Sequence, residues 1–195
     1  MGDLFGKGLQ FVGFMRAAPI ILLLFAVIVI TNLGSGIDAG SMIPEIKDEG
    51  RMLRGKVIRV IDGDTLEVRT AQGKEKVRML GIDTPETVRP GVAVECGGPE
   101  ASAFMKRLAE GTSVRLITDP TQDERDRYDR LLAYVLPSFG EVSYQQRILA
   151  AGWAEVYVYG RKFRRHKIFA KAQEKARAKG AGVWSACGGD FHRPR

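Results

Sequence analysis

Residues 55–86 read GKVIRVIDGDTLEVRTAQGKEKVRMLGIDTPE, and this stretch decides the fold. Apolar and polar residues alternate within Gly55–Ile61, Thr65–Thr70 and Glu75–Ile82, which is the period of two expected for half-buried β-strands. Asp62-Gly63 and Ala71-Gln72-Gly73 separate the three segments and are turn formers. Three short strands joined by tight turns predict an antiparallel meander.

The sequence that follows predicts a helix, two strands and two more helices. Gly98–Glu110 has Pro99 in its first turn, apolar residues at helical spacing and Gly111 just beyond its end. Three strands, a helix and two strands follow the order of a five-stranded Greek-key barrel of the OB type. We therefore predict an α+β, mainly β domain at 53–186 with a tail at 187–195. The remaining elements are predicted at Ser113–Thr118 and Leu131–Leu136 (strands) and at Ser143–Ala151 and Phe163–Lys179 (helices).

The N-terminal part of the chain has a different character. Ala17–Thr31 is apolar and uncharged, and Lys7 and Arg16 precede it. We interpret 1–33 as an uncleaved transmembrane anchor, with a cleaved signal peptide or a buried helix of a soluble protein as alternatives. Residues 34–52 have the composition of a flexible linker. The basic flank would stay in the cytoplasm, so we expect the domain on the extracytoplasmic side of the cell membrane, or secreted or periplasmic after cleavage.

Composition limits the class of protein. The 195 residues include 30 Lys and Arg against 23 Asp and Glu, a net charge of +7. The charge indicates an anionic partner but does not separate nucleic acid from an acidic membrane. A domain of this size buries a core without help, which excludes disordered and disulfide-dense classes. Cys96 and Cys187 are compatible with a disulfide or with two free thiols, and their spacing does not suggest zinc.

Three acidic residues follow the predicted strands. In a meander the carboxyl ends of strands one and three share a rim, so Asp64, Asp83 and Glu86 can meet there. Three carboxylates repel one another unless a cation lies between them, and all-oxygen ligation favours Ca²⁺ or Mg²⁺. The alternative is that Asp-Gly and Asp-Thr-Pro only form turns.

Arginines near the same rim favour a chemical role. Arg78 lies on strand three, and Arg130 stands before strand five, behind Arg127 and Tyr128. Guanidinium groups bind phosphate through two N–H donors and can stabilise the charge of a phosphorane. A metal, carboxylates and paired arginines together suggest hydrolysis of a phosphodiester by water.

The chain from residue 55 to 185 closely resembles the staphylococcal-type nuclease (thermonuclease) family. That family has an OB-fold barrel and cleaves DNA and RNA with Ca²⁺, leaving 3′-phosphate ends. The resemblance covers about two thirds of the chain in the family's own order. The segments that carry it are Ile61–Thr65, Val77–Glu86, Gly98–Phe104, Asp126–Tyr134, Gly152–Tyr159 and Val183–Ser185.

The resemblance implies a calcium-dependent endonuclease with little sequence specificity. Asp64 and Asp83 would be carboxylate ligands of Ca²⁺, and the backbone carbonyl of Thr84 would be a third ligand. Glu86 would be the general base or would orient the attacking water. The substrate would be single-stranded or locally opened DNA and RNA, and we expect a monomer without an obligate protein partner.

The resemblance also implies which residues bind the substrate. Arg78 and Arg130 would hold the scissile phosphate, and Arg127 and Tyr128 would hold a neighbouring phosphate. Asp129 stands where the family usually has Gly. Aspartate tolerates the left-handed conformation, but its carboxylate could weaken the hold of Arg130 on phosphate.

Further features of the same region are less regular. Tyr157 and Tyr159 would flank the nucleotide, with Tyr159 better placed to stack on a base, although this segment is one residue shorter than in the family. Cys96 lies in the segment beside the site, and we expect a disulfide to Cys187 that tethers it. His192 is assigned no role. The competing hypotheses are a catalytically inactive OB-fold module that binds nucleic acid or protein, and a basic envelope protein that binds acidic lipid or wall polymer.

Overall fold

The computed structural model describes residues 50–87, 91 and 93–195. The predicted membrane segment at 1–33 and nearly all of the predicted linker at 34–52 lie outside the described residues. Within the described part of the chain, no helix is both long enough and apolar enough to cross a membrane.

Five strands close into a barrel, which confirms the architecture predicted from the order of the elements. The strands are β1 (Met52–Asp62), β2 (Thr65–Thr70), β3 (Gly73–Met79), β5 (Ser113–Ile117) and β6 (Leu131–Pro137). β1 pairs with β2, β2 with β3, β3 with β6, β6 with β5, and β5 with β1. The β3–β6 pair is parallel and the other pairs are antiparallel.

Alternate residues of these strands fill the barrel. Leu66 and Val68 of β2 are fully buried, and Leu66 lies opposite the equally buried Val77 of β3. Met105, from the helix α1 (Gly98–Ala109), belongs to the same core. Burying a side chain of this size stabilises the fold by about 1.5–3 kcal/mol. Because the side chains of a strand alternate between faces, this core directs Arg78 and its alternate neighbours on β3 outward.

The prediction of a third strand at Glu75–Ile82 is wrong at the C-terminal end. β3 stops at Met79, and Gly81 turns the chain with a φ of 84°. A Cβ atom at Gly81 would lie 2.5 Å from the ring of Phe163, so this position requires glycine. Beyond the turn, Ile82–Asp83 forms β4, which pairs antiparallel with β7 (Glu155–Val156). The break brings Asp83 back toward Arg78.

The three predicted helices are present, with shorter bounds, and a fourth short helix follows them. They are α1, α2 (Tyr144–Ala150), α3 (His166–Ala178) and α4 (Val183–Ala186). α2 begins at a capping box in which Ser143 and Gln146 satisfy each other's backbone N–H groups. α3 begins three residues later than predicted, and Phe163 instead packs in the core beside Tyr134.

Candidate active site

The structure brings together Asp64, Arg78 and Asp83 at the predicted rim. Arg78 Nη1 lies 2.6 Å from Asp64 Oδ2, and Arg78 Nη2 lies 2.6 Å from Asp83 Oδ1. Nη1 also donates to the carbonyl of Ile82 at 3.0 Å. Burial would lower the pKa of Arg78, but the charges of Asp64 and Asp83 outweigh it and raise that pKa. One guanidinium therefore bridges the carboxylate of Asp64, in the turn between β1 and β2, and that of Asp83 in β4.

Asp64 is held from several sides. Thr65 Oγ1 donates to Asp64 Oδ1 at 2.9 Å, while the backbone N–H and the hydroxyl of Thr84 approach Asp64 Oδ2 at 3.3 and 3.2 Å. Gly63 makes this approach possible, because a Cβ atom there would lie 2.8 Å from Thr84 Oγ1. Thr84, the third predicted ligand residue, thus lies directly against Asp64.

Asp62 is a buried acid of the site that the sequence reasoning missed. Its Oδ1 accepts hydrogen bonds from the Gly63 N–H at 2.8 Å, from the Thr87 hydroxyl at 2.8 Å and from the Ser102 hydroxyl at 3.1 Å. Burial, and then repulsion by Asp64, raise its pKa to about 6. Asp62 therefore joins the turn after β1 to the segment after β4 and to α1. Its position in an Asp-Gly turn was the available signal.

The negative charge of this cluster is not fully neutralised by Arg78. The pKa of Asp83 is raised to about 6, chiefly by burial; Arg78 opposes this rise and Asp64 adds to it. Within the described residues, no three His, Cys, Asp or Glu side chains are grouped closely enough to hold a metal by themselves. Asp64, Asp83 and the main chain of Thr84 offer oxygen donors, the set that hard divalent cations prefer. These residues fit a cation whose coordination is completed by water or substrate.

Glu86 lies in the segment after β4, between Thr84 and Thr87. Its charge contributes to raising the pKa of Asp62. Its backbone is held at two points by one residue, because the Glu86 N–H donates to Glu95 Oε2 at 2.6 Å and the Glu95 N–H donates to the Glu86 carbonyl at 2.9 Å. Glu86 Oε1 also accepts the Thr87 N–H at 3.0 Å. Glu95 therefore fixes the position of the predicted base.

The segment predicted as a tail anchors Glu95. The Cys96 N–H donates to the Arg193 carbonyl at 2.7 Å, and Glu95 forms a β-bridge with Pro194. His192, which the sequence reasoning left without a role, lies with Nδ1 3.4 Å from Glu95 Oε1. A disulfide joins Cys96 to Cys187, with the sulfurs 2.06 Å apart. The C-terminal segment is thus bound both covalently and by hydrogen bonds to the loop beside Glu86.

Arg130 is held by Asp126 rather than by Asp129. Arg130 Nε lies 2.6 Å from Asp126 Oδ2, and the Arg130 N–H donates to Asp126 Oδ1 at 3.0 Å. Burial would raise the pKa of Asp126, but the hydrogen bonds from Arg130 lower it. Asp129 has a φ of 60° and its carboxylate points to Arg125, 3.6 Å away. The expected contact of the Asp129 carboxylate with Arg130 is therefore replaced by one from Asp126.

The predicted substrate-binding residues are exposed. Tyr128 is 64% exposed, and the guanidinium carbons of Arg127 and Arg130 lie 4.8 and 5.3 Å from its ring centre. Tyr157 and Tyr159 are also exposed and follow β7, the partner of β4. Arg127, Tyr128 and Arg130 form one cluster, whereas no hydrogen bond or ring contact joins the two later tyrosines, both among the described residues, to it.

Arg78 lies on β3, and Arg130 directly precedes the neighbouring strand β6. In the parallel β3–β6 pair, Arg78 lies opposite Leu132 and Val77 lies opposite Leu131. Arg130 therefore lies one residue before the first pair of this ladder. A spacing of about 3.3 Å per residue along a strand and about 4.8 Å between strands places the two Cα atoms about 8 Å apart. Two guanidinium groups can reach one phosphate from this separation.

Comparison with known proteins gives concordant findings. A family model described as "Staphylococcal nuclease homologue" matches residues 76–186. The chain is 39% identical over 130 residues to "Thermonuclease" of Staphylococcus hyicus, covering 67% of this chain and 75% of that protein. It is 35% identical over 128 residues to "Thermonuclease" of Staphylococcus intermedius, covering 66% and 74%. It is also 35% identical over 146 residues to "Endonuclease YncB" of Bacillus subtilis (strain 168), covering 74% and 68%.

Proposed function

This chain belongs to the staphylococcal nuclease homologue family, and from that membership we propose that it is a nuclease that hydrolyses phosphodiester bonds of DNA and RNA with Ca²⁺. The observation that carries the proposal is the Asp64–Arg78–Asp83 cluster with Arg130 directly before β6, the strand next to β3. It combines oxygen donors for a cation with two guanidinium groups for one phosphate.

The cation would be held by the carboxylates of Asp64 and Asp83 and by the backbone carbonyl of Thr84. When bound, Ca²⁺ would supply positive charge against the phosphate oxygens and help to deprotonate water. The fit rests on the oxygen donors and on the charge of the cluster, in which a single guanidinium, that of Arg78, faces the two carboxylates of Asp64 and Asp83.

The protein's own side chains would perform the remaining steps. Arg78 and Arg130 bind the non-bridging oxygens of the scissile phosphate and stabilise the charge that grows on them in the transition state. Glu86 accepts a proton from the attacking water or orients it. Glu95 keeps the Glu86 backbone in place from two sides. We expect products with 3′-phosphate ends.

Substrate beyond the scissile phosphate would be held by exposed groups. We infer that Arg127 and Tyr128 would bind a neighbouring phosphate, and their contact with Arg130 supports this. Tyr157 and Tyr159 would contact the nucleotide, Tyr159 by stacking on a base. Stacking on an aromatic face does not depend on base identity, which is consistent with low sequence specificity.

We also propose that the domain lies outside the cytoplasm, anchored to the cell membrane by residues 1–33 or released after cleavage of that segment. The apolar run at Ala17–Thr31 supports membrane insertion. The Cys96–Cys187 disulfide supports an oxidising compartment.

The test is a cleavage assay of the full chain on single-stranded DNA with Ca²⁺, repeated with a chelator. We expect cleavage that stops on chelation and falls at least about 100-fold when Glu86→Gln and Arg130→Ala are combined. The matched control combines Glu141→Gln with Arg107→Ala, which removes the same residue types away from the site. Unchanged cleavage by the Glu86 and Arg130 variant would overturn the proposal. Binding of DNA without any cleavage by the native chain would favour the inactive binding module instead.

A further inference from the structure

We propose that the outer face of β1, β2 and β3 is an extended binding surface for the sugar-phosphate backbone of the polynucleotide substrate. Its centre is a set of three exposed cations, Lys56, Arg69 and Lys74, which we call the basic row. The inference rests on the proposed function and extends it from one scissile phosphate to several nucleotides of the same strand.

The strand register places these cations side by side. Lys56 of β1 lies directly opposite Arg69 of β2, and Arg69 lies directly opposite Lys74 of β3. Residues paired in this way have Cβ atoms about 4.5–5.5 Å apart, and like charges at that separation destabilise a sheet. A bound polyanion would convert this repulsion into attraction.

The neighbouring carboxylates neutralise the basic row only in part. One step along the sheet, Glu67 lies opposite Arg59 on one side and Lys76 on the other, and its side chain pairs with Lys74 at 3.3 Å. Glu110 borders the row, and its Oε2 accepts a backbone N–H of β1 at 3.1 Å. With Arg59 and Lys76, the face carries five cations against the two carboxylates of Glu67 and Glu110, a surplus of three positive charges.

The basic row is continuous with the candidate active site. Lys74, Lys76 and Arg78 alternate along β3 and therefore share its outer face. Arg130 lies at the same end of β3, because the following residue, Leu131, pairs with Val77. Four residues of β-strand span about 13 Å, roughly the length of four nucleotides in a stacked strand. A flexible polyanion can follow this path into the partly buried site, whereas a flat lipid surface would contact only the exposed row.

The experiment compares two variants of the full chain that lose the same charge. The test variant combines Lys56→Gln, Arg69→Gln and Lys74→Gln, and the control combines Lys106→Gln, Arg107→Gln and Lys171→Gln on α1 and α3. Binding of a fluorescent 20-nucleotide single strand is measured in chelator, without hydrolysis, at several salt concentrations. Cleavage of this strand and of a dinucleotide is measured with Ca²⁺. Binding to phosphatidylglycerol vesicles is measured in parallel.

A plot of log affinity against log salt should be shallower by about 2 in the test variant, since each of three lost phosphate contacts of a single strand contributes about 0.7 to the slope. The Michaelis constant for the long strand should rise at least about tenfold, and that for the dinucleotide should not change. Equal salt slopes in the test and control variants would overturn the inference. So would loss of vesicle binding with unchanged DNA binding. The binding measurement does not depend on cleavage. A chain without nuclease activity would therefore refute the proposed function, and the salt slopes would still test whether the basic row binds the strand.

Discussion

Replacing Cys96 and Cys187 together with serine would measure how much the covalent link to the C-terminal segment stabilises the domain. The cysteines are 91 residues apart in the sequence, so the disulfide closes a long loop in the unfolded chain. In the chain-entropy description, losing a cross-link over such a loop lowers the free energy of unfolding by about 4–5 kcal/mol. This is a large part of the 5–15 kcal/mol typical of a whole domain.

The assay is guanidinium unfolding of the full chain, followed by tryptophan fluorescence. Trp153 and Trp184 pack against the cluster that contains Cys187, so the signal reports on this region. We expect a lower midpoint in the double variant, and the same midpoint for the native chain after reduction. A double variant within about 1 kcal/mol of the native chain would refute the reasoning. So would a reductant that destabilises the double variant as much as it destabilises the native chain.

The same substitution has a consequence at the candidate site. Cys96 directly follows Glu95, whose carboxylate and N–H hold the backbone of Glu86. Freeing Cys96 should therefore lower kcat more than the unfolded fraction explains, with little change in KM. A loss of activity that matches the unfolded fraction at every temperature would show that the disulfide acts on stability alone.

Three more predictions follow from single contacts. Glu95→Ala should lower kcat about tenfold at constant KM, because the Glu86 N–H loses its acceptor. Glu95→Gln keeps an acceptor and should keep most of the rate. Equal rates for the two variants would contradict this prediction. Burial would raise the pKa of Asp119, but hydrogen bonds from Tyr134, Arg164 and Thr121 lower it. The stabilisation that ionised Asp119 gives to the folded state is therefore complete above about pH 4 and is lost as the pH falls through the folded-state pKa. Asp119→Asn should flatten the free energy of unfolding against pH below about pH 4, and an unchanged acid limb would contradict this assignment. Gly81→Ala should lower the free energy of unfolding by at least about 1–3 kcal/mol, measured by thermal unfolding, because of its positive φ and the ring of Phe163; an unchanged melting temperature would contradict it.

The sequence allowed the barrel and the centre of the site to be predicted because both depend on local patterns. Alternation specified the strands, and the shared rim of β1 and β3 followed from the short turns between them. Asp64 and Asp83 therefore meet through Arg78, a residue of the strand that separates them in sequence. These contacts could be predicted from the order of the strands alone, because the residues that make them lie close together in the sequence.

The features that were missed depend on contacts between distant residues. β3 ends at Met79 because Phe163, more than 80 positions later, occupies the space beside Gly81. Glu95 and His192 carry no local signal, since their roles arise only when the C-terminal segment pairs with the loop beside Glu86. The acidic partner of Arg130 was predicted wrongly. The sequence does not show that the left-handed backbone of Asp129 directs its carboxylate away from Arg130, nor that Asp126 takes its place.

The two arginines of the candidate site are prepared for phosphate in different ways. Arg130 uses Nε for Asp126, so its two Nη groups are the ones that point to other acceptors and its orientation is already fixed. Arg78 uses Nη1 and Nη2 for Asp64 and Asp83, so the same donors that would bind phosphate are engaged by carboxylates. A phosphate would compete with Asp64 and Asp83 for these donors, and a cation held by the two carboxylates would weaken their hold on Arg78. Under the proposed function, a bound cation would therefore favour the phosphate contact of Arg78, whereas the contact from Arg130 would not depend on it.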